Sequence, residues 1–444
     1  MVDFFQLGSG KIGRLSRYLE GHRMAGAERG LVRDPGMEGT QMTATRQAWQ
    51  RPVLRTDEEF QQHRSVGWLE LFFDLVFVVV ISRLAHHLAA HLHAVDVVKF
   101  VVQFMAVFWV WNAFTYYTER FESDGMENRV FTFLALVPVA GLAVFADDGL
   151  GTTYVGFALA YLFARTVNQV TWARAAWHVP VFRPTAARFL SGHVVVTATI
   201  LGSFATHGSA RWLLFALGVA VDIATPYFTT AQQAVLPKLS TSKFPERFGL
   251  LTMIVLGEAV VGVIVGLSGL AGQGNLGGSG ISMGVLGLAV GFALWWLYFD
   301  FVGRRTPRPS FITALSWVYL HLVTLTAITI TGAGISVVIA DATAGSLTDP
   351  SRYLLVSGVA LSLLGIGALQ TTLTRTPDEP TNARLSPGLH FAAAAVTATL
   401  GTINLGWSAP ALLAMLLAGL AVPMAYGALV WFNPPSSRLP SPLA

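Results

Sequence analysis

The chain has 444 residues, 53% of them hydrophobic and only 12% charged, with a mean hydropathy of +0.55. Soluble domains carry roughly 25% charged residues, so this chain cannot clothe a water-facing surface, and its solvent is largely lipid. With 29 Lys+Arg against 25 Asp+Glu and no cysteine, disulfides, thiolate metal sites and cysteine nucleophiles are excluded, and no domain of soluble composition points to nucleic acid.

Residues 1–65 are polar, and ten of the basic residues lie between Lys11 and Arg64. No hydrophobic signal region opens the chain, so this segment is expected to be a flexible cytoplasmic extension. From Gly67 onward, apolar runs of helical length recur between short loops. They predict spans near 67–88, 96–117, 128–147, 152–172, 187–206, 211–231, 246–268, 281–302, 311–339, 352–372, 388–407 and 410–432. Barrel strands would be about ten residues long and alternating. The expected class is therefore an all-α polytopic membrane protein with about 12 transmembrane helices.

Loop charges orient the bundle. Arg120, Arg174, Arg183, Lys238, Lys243, Arg304, Arg305, Arg308, Arg375 and Arg384 fall in or beside the even-numbered loops. The odd-numbered loops hold little that is basic. The positive-inside rule then puts both termini in the cytoplasm. Local likenesses, such as Trp111 with Trp296 and Arg120 with Arg305, are consistent with two parallel six-helix repeats. These would span 66–240 and 241–434 and be followed by a short cytoplasmic tail, 435–444.

Charged groups inside spans are costly and usually face the bundle interior. The acids Glu70, Asp74, Asp222, Glu246, Glu258 and Asp300, together with Arg247, are expected to form a substrate or ion pathway. Trp111, Arg165, Trp296 and His321 are candidate pocket-lining residues. Alternatively, each acid pairs with an arginine and merely locks helices together. If the first and seventh spans are equivalent, Arg247 is the natural counter-charge for Glu70 or Asp74, because an unpaired carboxylate there is costly. Glu258 lies twelve residues beyond Glu246, about 18 Å further along a helix, and marks a separate, deeper site. His87 and His91 have a spacing that can serve a metal, but the run AHHLAAHLH sits at a span end and is read as a solvated terminus. No metal site and no cofactor are assigned. The threonines of span nine are expected to bond to backbone or to neighbouring helices. The chain contains no phosphate-binding loop, no Gly-x-Ser-x-Gly and no His-Glu-x-x-His.

The runs ELFFDLVFVVVISRLAHHL (70–88), ERFGLLTMIVLGEAVVG (246–262) and LWWLYFD (294–300) resemble the bacterial low temperature requirement protein A family. The resemblance extends over most of residues 66–432. It implies a multi-spanning protein of the bacterial inner membrane, with Glu70, Asp74, Glu246, Arg247, Gly257, Glu258 and Asp300 as motif positions. Three functions remain open. The first is a secondary transporter or ion-coupled permease, for which twelve spans and intramembrane acids argue. The second is a membrane-embedded enzyme acting on a lipid or isoprenoid, with Glu70, Asp74, Glu246 and Asp300 holding Mg²⁺. The third is a non-catalytic scaffold or sensor. Expected partners are membrane lipid and an unidentified small solute, ion or lipid, and a homo-oligomer is left open.

Overall fold

The computed structural model describes residues 49–55, 66–122, 125–237, 243–272, 274, 277–303, 305–342, 347–375, 379–403 and 405–432. The remainder of the N-terminal segment, the C-terminal tail, Lys238 and Arg304 lie outside the described residues. Among the described residues twelve long helices follow in order, one for each apolar run: α1 (Trp68–Ala90), α2 (Ala94–Arg120), α3 (Met126–Val144), α4 (Tyr154–His178), α5 (Arg183–Ser203), α6 (Gly208–Ala224), α7 (Lys243–Gly272), α8 (Gly278–Tyr298), α9 (Phe311–Asp341), α10 (Asp349–Gln370), α11 (Leu385–Thr402) and α12 (Ala409–Phe432). A 3₁₀ turn (Thr225–Thr229) and one further helical turn (Thr230–Gln233) extend α6, and a π-helical turn (Phe299–Gly303) ends α8.

Eight helices (α2, α3, α6 with its extension, α7, α8, α9, α10 and α12) are long and apolar enough to cross a membrane. The other four are interrupted by charged or polar residues, among them Glu70, Asp74 and Arg83 in α1 and Arg165, Asn168 and Gln169 in α4. The protein is thus a multi-pass helical membrane protein, with eight candidate spans by length and composition among the described residues where twelve were expected. Short connections turn the chain back on itself, so odd- and even-numbered helices run in opposite directions. One end of the bundle therefore collects Arg120, Arg174, Arg183, Lys243, Arg305 and Arg375 and is called the basic end below.

Helix α9 is the hub. Its apolar window is 94% buried, against 28% for α12, and it packs most extensively on α7 and α10. Small residues permit that approach. A Cβ on Gly332 would lie 2.7 Å from the carbonyl carbon of Glu258 on α7, so only glycine fits there. Ser310 caps the start of α9 by accepting from the Thr313 N–H at 3.1 Å. Along α9 the hydroxyls of Thr324, Thr326, Thr329 and Thr331 each donate to the carbonyl four residues back, at 2.7–3.0 Å. These threonines satisfy their own helix and make no cross-helix polar site.

At the basic end, part of the polar N-terminal segment is docked. Strand β1 (Val53–Leu54) pairs antiparallel with β2 (Phe121–Glu122), which directly follows α2. Leu54 packs with Phe121, Trp172, Phe182 and Phe189 in a small apolar cluster separate from the main core, and Arg55 holds Glu119 at 3.6 Å.

Candidate functional site

Three arrangements of buried polar groups divide the bundle interior. The first joins α1, α2 and α7 near the basic end. Glu70 begins by closing the start of α1, its Oε2 accepting from the Gly67 N–H at 3.0 Å. Its other oxygen receives Lys243 Nζ at 2.8 Å and lies 3.9 Å from Arg247. One turn further on, Asp74 forms an ion pair with Arg247 and accepts from Trp111 Nε1 at 2.8 Å. Arg247 also donates to Thr118 Oγ1 at 3.2 Å and lies over the Trp111 ring, 5.6 Å from its centroid. Arg247 is thus the counter-charge of the α1 acids. The cluster locks α1 to α7 because a buried carboxylate without a cation would cost several kcal/mol.

The motif residues of the first and seventh helices therefore meet. Residues 65–425 match the family model of the bacterial low temperature requirement A protein (LtrA). The chain belongs to this family. Nothing matches it among curated proteins or among solved structures.

In this LtrA-family chain an aromatic layer continues from Trp111 across to α9. Phe248 contacts Trp111, Trp317 and His321, with ring centroids 4.9, 4.5 and 4.9 Å away. His321 is fully enclosed. Its Nδ1 bonds the Trp317 carbonyl at 2.9 Å and its Nε2 bonds the Tyr298 hydroxyl at 2.9 Å. It is a satisfied core histidine, and it lines neither of the cavities described below.

The second arrangement links α4 to α6. Arg165 grips Asp222 with both ends of its fork, Nε to Oδ2 at 2.6 Å and Nη2 to Oδ1 at 2.6 Å. Tyr161, one turn before Arg165, donates to Asp222 Oδ2 at 2.5 Å. The remaining guanidinium nitrogen reaches Asn168 Oδ1 at 3.2 Å. This pair borders a cavity of about 60 Å³ that reaches across to Phe244 on α7 and to Ala314, Leu315 and Val318 on α9. The cavity lies toward the basic end.

The third lies toward the opposite end. A cavity of about 390 Å³ runs between α1, α7 and α9, from exposed Ala90, Gly269 and Ala340 down to buried Glu258 near the middle of α7. Its walls are largely small: Gly262, Gly266, Gly332, Ala333 and Ser336. Glu258 forms no ion pair with Arg or Lys among the described residues. Its polar neighbours are Ser82 and His86 of α1. These two side chains are themselves linked, His86 Nδ1 lying 3.4 Å from Ser82 Oγ and 2.7 Å from the Ser82 carbonyl.

The other expected site residues fall elsewhere. Glu246 is exposed: one residue is about 100° of helix rotation, so burying Arg247 turns Glu246 outward. Asp300 is half-buried in the π turn and accepts from Trp296 Nε1 at 2.6 Å within its own helix. The four acids considered for Mg²⁺ therefore do not converge. Two are engaged by Lys243 and Arg247, one is exposed, and one is bound to a tryptophan. His87 and His91 stack at 4.4 Å, and among the described residues no group of three or more His, Asp or Glu could hold a metal.

Lys243, Thr118, Tyr161, Ser82 and His86 take part in these sites although they were not expected there. Tyr161 and Ser82 carried a usable signal: each stands four residues before a charged or titratable partner on the same helix face. Lys243 and Thr118 carried none.

Proposed function

We propose that the protein is a secondary transporter or ion-coupled permease of the bacterial inner membrane, with both termini cytoplasmic and Glu258 carrying the coupling proton or cation. The observation that carries this reading is the isolation of Glu258. Glu70, Asp74 and Asp222 each hold a cation, whereas Glu258 ends an accessible cavity with only a hydroxyl and an imidazole beside it. A carboxylate without a fixed counter-ion in that position exchanges a proton or a cation with the water of the cavity. A carboxylate already gripped by arginine does not. The two cavities lie toward opposite ends of the bundle and share no lining residue. Exposed apolar side chains around the bundle, among them Phe133, Val194, Leu217, Val285 and Leu429, support contact with lipid.

The test is reconstitution into liposomes with an internal pH dye and an imposed gradient. Proton flux above that of empty vesicles is expected for the native chain, with at least about tenfold loss in Glu258→Gln and partial retention in Glu258→Asp. Equal flux in the native chain and in Glu258→Gln refutes the assignment.

A further inference from the structure

The cavity beside Arg165 and Asp222 is built in a way that the carrier role of Glu258 does not explain. Three carboxamides line it; that of Asn168 is engaged by Arg165, Trp172 and the Ala113 carbonyl, which leaves Asn112 from α2 and Gln169 from α4. They are 8% and 4% exposed respectively. Neither side chain has a hydrogen-bond partner among the described residues, and Asn112 Oδ1 and Gln169 Oε1 are withdrawn from solvent. Leaving a buried polar atom unbonded costs about 1–3 kcal/mol. Two such amides on one small cavity mark a place where hydrogen-bonding capacity is held for something other than protein.

The charges around the cavity define what that partner is. Asp222 accepts from both forks of Arg165 and from Tyr161, and the last guanidinium nitrogen is taken by Asn168. The ion pair is internally complete. A charged ligand would find no counter-charge and would lose its hydration, at a cost of several kcal/mol. What remains is neutral: the carboxamides of Asn112 and Gln169, each an oxygen and an N–H₂ group with no net charge. The rest of the wall is mostly apolar and aromatic, with Trp109, Trp172, Phe189, Phe244 and Leu315. A volume of about 60 Å³ accommodates roughly four to six water-sized positions.

We infer that this cavity binds a small uncharged solute bearing a carboxamide or urea group, of about five non-hydrogen atoms. The solute's own donor and acceptor pair with Asn112 and Gln169, and its apolar part lies against the indole rings. The site stands independently of proton coupling, because the residues that form it are distinct from Glu258 and its neighbours.

The probe is propionamide, compared with its near-isosteres propionate and propylammonium, by saturation-transfer NMR on the full chain in lipid nanodiscs, with empty nanodiscs as the blank. Saturable transfer to propionamide is expected, with at least about fivefold less to either ion. The amide signal should fall to the blank in Asn112→Leu/Gln169→Leu. Equal transfer to propionate, an amide signal unchanged in the double variant, or no signal from any probe (a cavity holding water only) overturns the assignment. Should the double variant fail to fold, Gln169→Leu alone and competition among the three probes on the native chain decide the matter. No gradient is present, so failure of the flux experiment leaves this result intact, and the reverse also holds.

Discussion

Asp222 and Glu258 are both buried carboxylates on apolar helices, 2% and 4% exposed, yet their surroundings differ in kind. Asp222 is held by three donors from two side chains, Arg165 and Tyr161, beside a small cavity. Glu258 faces a cavity more than six times larger, about 390 Å³ against about 60 Å³, and no Arg or Lys pairs with it among the described residues. The difference teaches that an acid in a membrane helix is a site or a fastener according to whether a cation stands within reach. The first helix makes the same point twice over. Its acids Glu70 and Asp74 are paired with Lys243 and Arg247, and they fasten α1 to α7.

Four substitutions break or sharpen this contrast. The largest effect is expected from Asp222→Asn, which leaves Arg165 charged and buried. It should cost about 3–5 kcal/mol, seen as loss of monodisperse protein after detergent extraction or as a large drop in unfolding temperature. The double change Arg165→Met/Asp222→Leu should recover most of that loss, because it removes both charges together. If the double variant is no better than the single one, the pair is more than a fastener. Next is Trp111→Phe, which deletes the N–H donor to Asp74 while keeping an aromatic ring beside Phe248. A loss of about 1.5–3 kcal/mol is expected for a hydrogen bond to a charged group, read as a shift in the denaturation midpoint.

Gly332→Ala comes third. The new methyl would meet the Glu258 backbone at 2.7 Å, forcing α7 and α9 apart at a cost of about 1–3 kcal/mol. It should also weaken flux by displacing Glu258, so an unchanged unfolding temperature with native flux would contradict the packing described. The smallest stability effect is expected for Glu258→Gln, below about 1 kcal/mol, because no ion pair is broken. The same acid-to-amide replacement should thus unfold the protein at position 222 and leave it folded but without flux at position 258. Comparable destabilisation at both positions would erase the distinction.

Much of the fold was legible in the residues. Helix periodicity and loop punctuation located all twelve helices within a few residues, because burying an apolar run of that length in lipid or in a helical core leaves few alternatives. The threonines of α9 were also predictable, since a hydroxyl on a buried helix reaches its own backbone four residues back. Family membership was readable from the ELFFD, ERFGL and LWWLYFD runs. Whether the halves repeat each other was not readable, because likeness between short apolar segments is common to most membrane helices.

The sequence by itself determined that the protein is helical, multi-pass and built around charges placed inside apolar helices, since composition and spacing along one chain suffice for that. Only the tertiary structure decided which charges meet. It paired Asp74 with Arg247 across 173 positions and Asp222 with Arg165 across 57, turned Glu246 outward, and left Glu258 at the end of a cavity. The reason is physical. Helix spacing fixes the face on which a side chain stands, but the neighbour opposite that face is set by how the helices pack. In an apolar medium the presence or absence of a counter-charge there decides whether a carboxylate is locked or free to exchange.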